Sequence, residues 1–133
     1  MAQKQGNVES GSGRIGAEMG TAVAAANFAL GAGWGTTASV AVAAGSNDQA
    51  GVITITSAGT GQAQATATTT LTFVDGAYSA APRSYFIQLV ANTHGVAETG
   101  ATAGSISTTQ LAWAHSVLPV AASTYTYSYV VIQ

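Results

Sequence analysis

An all-β fold is predicted: an antiparallel β-sandwich, jelly-roll-like, carrying an extended N-terminal arm. Three observations lead there. Six runs alternate apolar and hydroxyl-bearing residues at a period of two, the signature of half-buried strands. Connections rich in Gly, Asn and Pro separate them. No amphipathic helix longer than two turns is legible, and strands without helices bury their apolar faces by layering sheet on sheet.

The chain begins with an arm, residues 1–33, whose first twenty positions (MAQKQGNVESGSGRIGAEMG) hold five glycines and two serines. Alone, such a segment buries too little apolar area to offset its chain entropy, so a neighbouring subunit is the expected support. Thr21–Leu30 has alanine's helix propensity, but its flanking glycines oppose a helix. The sandwich then occupies residues 34–133. Thr37–Ala44 (TASVAVAA) reads as the first strand, GSNDQAG as a turn, and Val52–Ser57 (VITITS) as the second strand. Ala63–Phe73 (AQATATTTLTF) follows, with Ala65, Ala67, Thr69, Leu71 and Phe73 on one face. The loop VDGAYSAAP carries two turn signals, Asp75-Gly76 and Pro82. Ser84–Ala91 (SYFIQLVA) is the most hydrophobic run and is expected to be a central strand buried on both faces. A polar loop from Asn92 to Gly104 leads to a strand over Ser105–Trp113. The last strand, Thr124–Ile132 (TYTYSYVVI), projects Tyr125, Tyr127 and Tyr129 from one face and Thr124, Thr126 and Ser128 from the other.

Charge narrows the function classes. Only eight of 133 residues are charged, and Lys4, Glu9, Arg14 and Glu18 account for half of them. The other four are Asp48, Asp75, Arg83 and Glu98. Three scattered basic residues cannot displace counterions from phosphates, which excludes sequence-independent nucleic-acid binding. With no cysteine there is no disulfide, thiolate nucleophile or Cys-based metal site. Thr21–Ala32 is too short and too alanine-rich to span a bilayer, and no basic n-region precedes it, so neither membrane insertion nor a leader peptide is expected. A surface this poor in charge costs little to desolvate, and strands without Lys or inward charges leave their edges open. Both point to self-association.

The order of segments carries a resemblance. A G-W-G opening (Gly33-Trp34-Gly35) precedes a Val/Ser strand, the hairpin NDQAGVITIT, a Thr-rich strand ending TLTF, the loop GAYSAAP and the closing strand TYTYSYVVI. Over residues 33–133 this pattern resembles a β-sandwich module of tailed-phage virion proteins. The resemblance implies a multimeric, trimer-type domain of capsid decoration (cement) proteins, head fibres or tail fibres. It implies no catalytic residues. With one module and no repeat or heptad shaft, a decoration protein is expected ahead of a fibre. In that reading the protein is no enzyme and needs no cofactor. It sits on the outer surface of the capsid, and its arm (Lys4, Glu9, Arg14, Ile15, Glu18, Met19) contacts the major capsid protein. The alternative is a fibre knob that binds a receptor or host surface glycan; a self-assembling polymer or surface-layer unit is a third option.

Candidate chemistry is sparse. His94 and His115 are the only histidines, and no G-x-S-x-G or H-E-x-x-H frames them. Asn47-Asp48 and Asp75-Gly76 fit turns better than a calcium loop. Trp34, Tyr85, Trp113, Tyr125, Tyr127 and Tyr129, with Tyr78, are expected to fill a core starved of bulk by alanine or to pack between subunits; a sugar-stacking platform is the competing use.

Overall fold

The structure, a computed structural model, describes residues 20–98 and 101–133. Eight strands follow in chain order: β1 Phe28–Leu30, β2 Ser39–Val42, β3 Ala50–Thr56, β4 Thr68–Thr72, β5 Ser84–Asn92, β6 Ala101–Ile106, β7 Gln110–His115 and β8 Thr124–Ile132. They form two four-stranded sheets, ordered β1-β4-β7-β6 and β2-β3-β8-β5, with every pairing antiparallel. The only helical elements among the described residues are three single 3-10 turns, and no helix is long and apolar enough to cross a membrane. The predicted all-β sandwich is what the chain forms.

Alternation builds the interior. In β8, Tyr125, Tyr127 and Tyr129 are fully buried while the residues between them reach the outer face. They meet Phe28, Leu71, Leu111 and Trp113 of the other sheet, together with Trp34 from the turn before β2. Trp113 tilts onto Tyr127 and Phe28 stands edge-on to Tyr129, so rings bridge the two layers. Each buried ring removes roughly 150–250 Å² from water, which is how an alanine-rich chain fills the space between its sheets.

Several expectations need correcting. Ser84–Ala91 is not central but forms the outer strand β5, paired only with β8. Its inward residues Tyr85, Ile87 and Leu89 pack on the core, whereas Phe86 is 66% and Val90 52% exposed. An apolar run reports two apolar faces, not two covered ones. Ser105–Trp113 is a hairpin rather than one strand. The Ser107 hydroxyl accepts the N–H groups of Thr109 and Gln110 (3.2 and 3.1 Å) and turns the chain between β6 and β7. β6 starts at Ala101, within the stretch read as loop. The Ala63–Phe73 run keeps its face from Ala67 to Phe73, but residues 64–66 make a 3-10 turn and Ala65 is exposed.

Thr21–Leu30 holds no α-helix: the Asn27 side chain accepts the Ala24 N–H (2.8 Å), a single turn follows, and β1 then pairs with β4. Val23 and Phe28 are buried in the core. The sandwich therefore takes in residues that composition places in the arm.

Candidate functional site

His115 ends β7, two residues beyond Trp113 and four beyond Leu111, so the strand period turns its ring inward. There its Nδ1 lies 2.5 Å from the Tyr127 hydroxyl, and its ring packs on Trp34 and Tyr125. The loop after β5 supplies the rest of the cluster. Asn92 shapes it, donating through Nδ2 to Val96 O (2.9 Å) and accepting the Gly95 N–H (3.2 Å). Gly95 has φ +76, a left-handed conformation that favours glycine. This turn carries His94 onto the Tyr125 ring and brings Glu98 between the two histidines.

Glu98 Oε1 is 3.1 Å from His94 Nε2, and Glu98 Oε2 is 3.4 Å from His115 Nε2. The three side chains are 6%, 9% and 0% exposed respectively. Neither ring nitrogen is aligned on the carboxylate, so Glu98 Oε2 and both Nε2 atoms make no hydrogen bond. Burial, reinforced by the charge of His94, lowers His115 to about 4. At neutral pH His115 is therefore a neutral imidazole, and its contact with Glu98 is not an ion pair. Burial, then Glu98 and Tyr125, raise the Tyr127 hydroxyl well above the usual phenol range, so it stays protonated.

This arrangement offers little chemistry. The hydroxyl beside His115 is a phenol held neutral, not an activated nucleophile. A groove of about 280 Å³ touches Glu98 but is lined by neither histidine, so a substrate there meets neither imidazole. Among the described residues no three His, Cys, Asp or Glu side chains are placed to hold a metal ion. The cluster works as a clasp between the β5–β6 loop and the end of β7.

The acidic turns are also occupied by backbone. Asp48 is buried and accepts the N–H groups of Val74 and Asp75 (2.9 and 2.8 Å). Asp75 accepts the Thr21 N–H (2.9 Å), and Asn47 accepts those of Gln49 and Ala50 (2.9 and 3.1 Å). These contacts tie the chain entering the sandwich to the β2–β3 hairpin and to the loop before β5. Both aspartates thus join segments distant in sequence, while Asn47 alone caps its own turn.

Of the aromatic candidates, Trp34, Trp113, Tyr125, Tyr127 and Tyr129 lie in the core, and Tyr85 packs against it half-buried. Tyr129 Oη donates to Asn47 O and Tyr125 Oη accepts the Val120 N–H, both at 2.6 Å, so neither ring face is open to a sugar. Lys4, Glu9, Arg14, Ile15, Glu18 and Met19 lie outside the described residues. The meeting of His94, Glu98 and His115 escaped sequence reasoning. Its one legible sign is the inward phase of His115 in QLAWAH.

Fold and interior define a two-sheet antiparallel β-sandwich with a ring-filled core and buried titratable groups engaged in structure. No family model, curated protein or solved structure matches the chain.

Proposed function

We propose that this chain is a noncatalytic structural protein of a phage virion, a capsid decoration protein that self-associates and is held to the major capsid protein by its N-terminal residues. The observation that carries this reading is the division of charge. The eight strands hold no Asp, Glu, Lys or Arg, whereas residues 1–18 hold four of the eight charges in the chain. A neutral sandwich packs against neighbours at small desolvation cost. The charged segment sets register on a second protein, each exposed ion pair contributing little alone and many repeats contributing together. Three copies around an axis is the assembly the resemblance favours.

The competing reading, a glycan-binding knob of a fibre, loses its main support with the tyrosine ladder inside the sandwich. Its sharpest test is a glycan array: binding that vanishes on substitution of an exposed ring such as Phe86 would favour it.

The attachment test removes residues 1–19 and leaves Val23, Phe28 and Trp34 in place, because those side chains belong to the core. Purified full chain and truncated chain are added to phage shells stripped of decoration, and occupancy is counted in cryo-micrographs. The full chain should coat the shells and the truncated chain should not. Equal coating would remove the clip mechanism, and no coating by the full chain would remove the decoration reading.

A further inference from the structure

The two outer faces of the sandwich differ. Along the β1-β4-β7-β6 sheet the outward positions of β1, β4 and β7 are small or polar: Ala29, Thr68, Thr70, Thr72, Gln110, Ala112 and Ala114. On the other sheet, register aligns Ala50 of β3, Val130 of β8 and Phe86 of β5 in one row. Val52 stands in the next row and Ile132 at the end of β8. Phe86 is 66% exposed, and Val52, Val130 and Ile132 are each close to 40%. Exposed apolar side chains grouped on one face of a sheet in this way are a surface to be covered.

We infer that copies of this chain associate through this face, with Phe86 of each copy packed on Val130 and Ile132 of another. The inference deepens the self-association proposed above and rests on it.

Charge selects the occupant. β2, β3, β5 and β8 contain no Asp, Glu, His, Lys or Arg. A charged protein partner finds no counter-charge on these strands, and Arg83, exposed just before β5, is a single cation where anionic lipid headgroups need a basic cluster. Thr54 and Thr126, on the same face, share a 3.1 Å hydrogen bond, so one hydroxyl donor of that pair already has its partner when the face is covered. The surface that matches an uncharged, hydroxyl-edged apolar row is the equally uncharged face of other copies, and three such faces close around one axis.

The edge strengthens the choice. β5 is the outer strand of its sheet, nine residues long, without charge or proline, and its one register shift lies between Leu89 and Ala91, beyond Phe86. Monomeric sheets normally protect such an edge.

The experiment is sedimentation equilibrium on the full chain and on the variants Phe86→Thr and Val130→Thr, with thermal unfolding as a check on folding. Threonine suits an outward strand position, so both variants should fold. The expected result is a multimer for the parent chain and a dissociation constant raised about tenfold or more in each variant. If one variant fails to fold, the other carries the test, and Thr126→Lys adds a charge to the same face as a third reading. A multimer whose dissociation constant is unchanged by these substitutions overturns this interface while leaving self-association standing. A parent chain that stays monomeric overturns both. A monomer that associates only when residues 1–19 are deleted overturns it too, because the face is then covered by the chain's own N-terminal segment.

Discussion

A methyl group on Gly33 would fall on the backbone of Ala63, Thr66 and Ala67. No rotamer can relieve that overlap, because every atom met belongs to the main chain. The close approach is what lets the Ala63 N–H reach Gly33 O (3.0 Å) and lets the Trp34 indole N–H donate to Thr68 O (3.0 Å). Trp34 then lies fully buried against Tyr125 and His115. Gly33→Ala should accordingly destabilise the fold by about 3 kcal/mol or more, at the upper end of overpacking costs. Urea unfolding monitored by tryptophan fluorescence measures it. A loss below about 1 kcal/mol would mean that this turn does not fix Trp34.

Between elements, the clasp of His94, Glu98 and His115 joins the loop after β5 to the end of β7, and its effect depends on pH. His115 titrates near 4 when folded and near 6.5 when unfolded, chiefly because burial disfavours its charged form. The unfolded chain therefore binds more protons across that window. Stability should be level with respect to His115 above about pH 6.5 and should fall as pH drops towards 4, by up to roughly 3 kcal/mol in total. The groups facing the ring are Glu98, His94, Tyr125, Tyr127 and Trp34. Urea midpoints from pH 4 to 7 test the point, and His115→Gln should flatten the slope. A parent chain with no slope would show that the ring is hydrated when folded.

The same elements show what the sequence could disclose. The phase of Tyr125, Tyr127 and Tyr129 was legible because a period of two decides which side chains share a face. So was the inward ring of His115. The place of β5 in its sheet was not, because strand order is set by long-range pairing that a local apolar run does not report. The β6–β7 turn was hidden because its residues, 107–110, carry the same hydroxyl and amide side chains as the strands on either side and hold no Gly or Pro, the turn resting on the Ser107 hydroxyl. The clasp was hidden because Glu98 reaches His115 only through the path of a loop.

At the scale of the molecule, four charges serve the described domain: Asp48, Asp75, Arg83 and Glu98. Asp48 and Asp75 accept backbone N–H groups, and Glu98 lies between histidines, so three of the four are engaged inside one chain. An interface built from the Phe86 row would then have no ion pair between its strands for salt to screen, whereas the proposed attachment through Lys4, Glu9, Arg14 and Glu18 would rest on charge. Raising sodium chloride from about 0.05 to about 1 M should leave self-association unweakened while it lowers occupancy on capsid shells. Sodium sulfate, which is excluded from protein surfaces, should strengthen self-association, because covering apolar area is what drives it. Sedimentation and shell-binding runs in the two salts separate the contacts. Self-association that weakened tenfold or more in chloride would place charge at the interface between copies and would contradict a neutral row centred on Phe86.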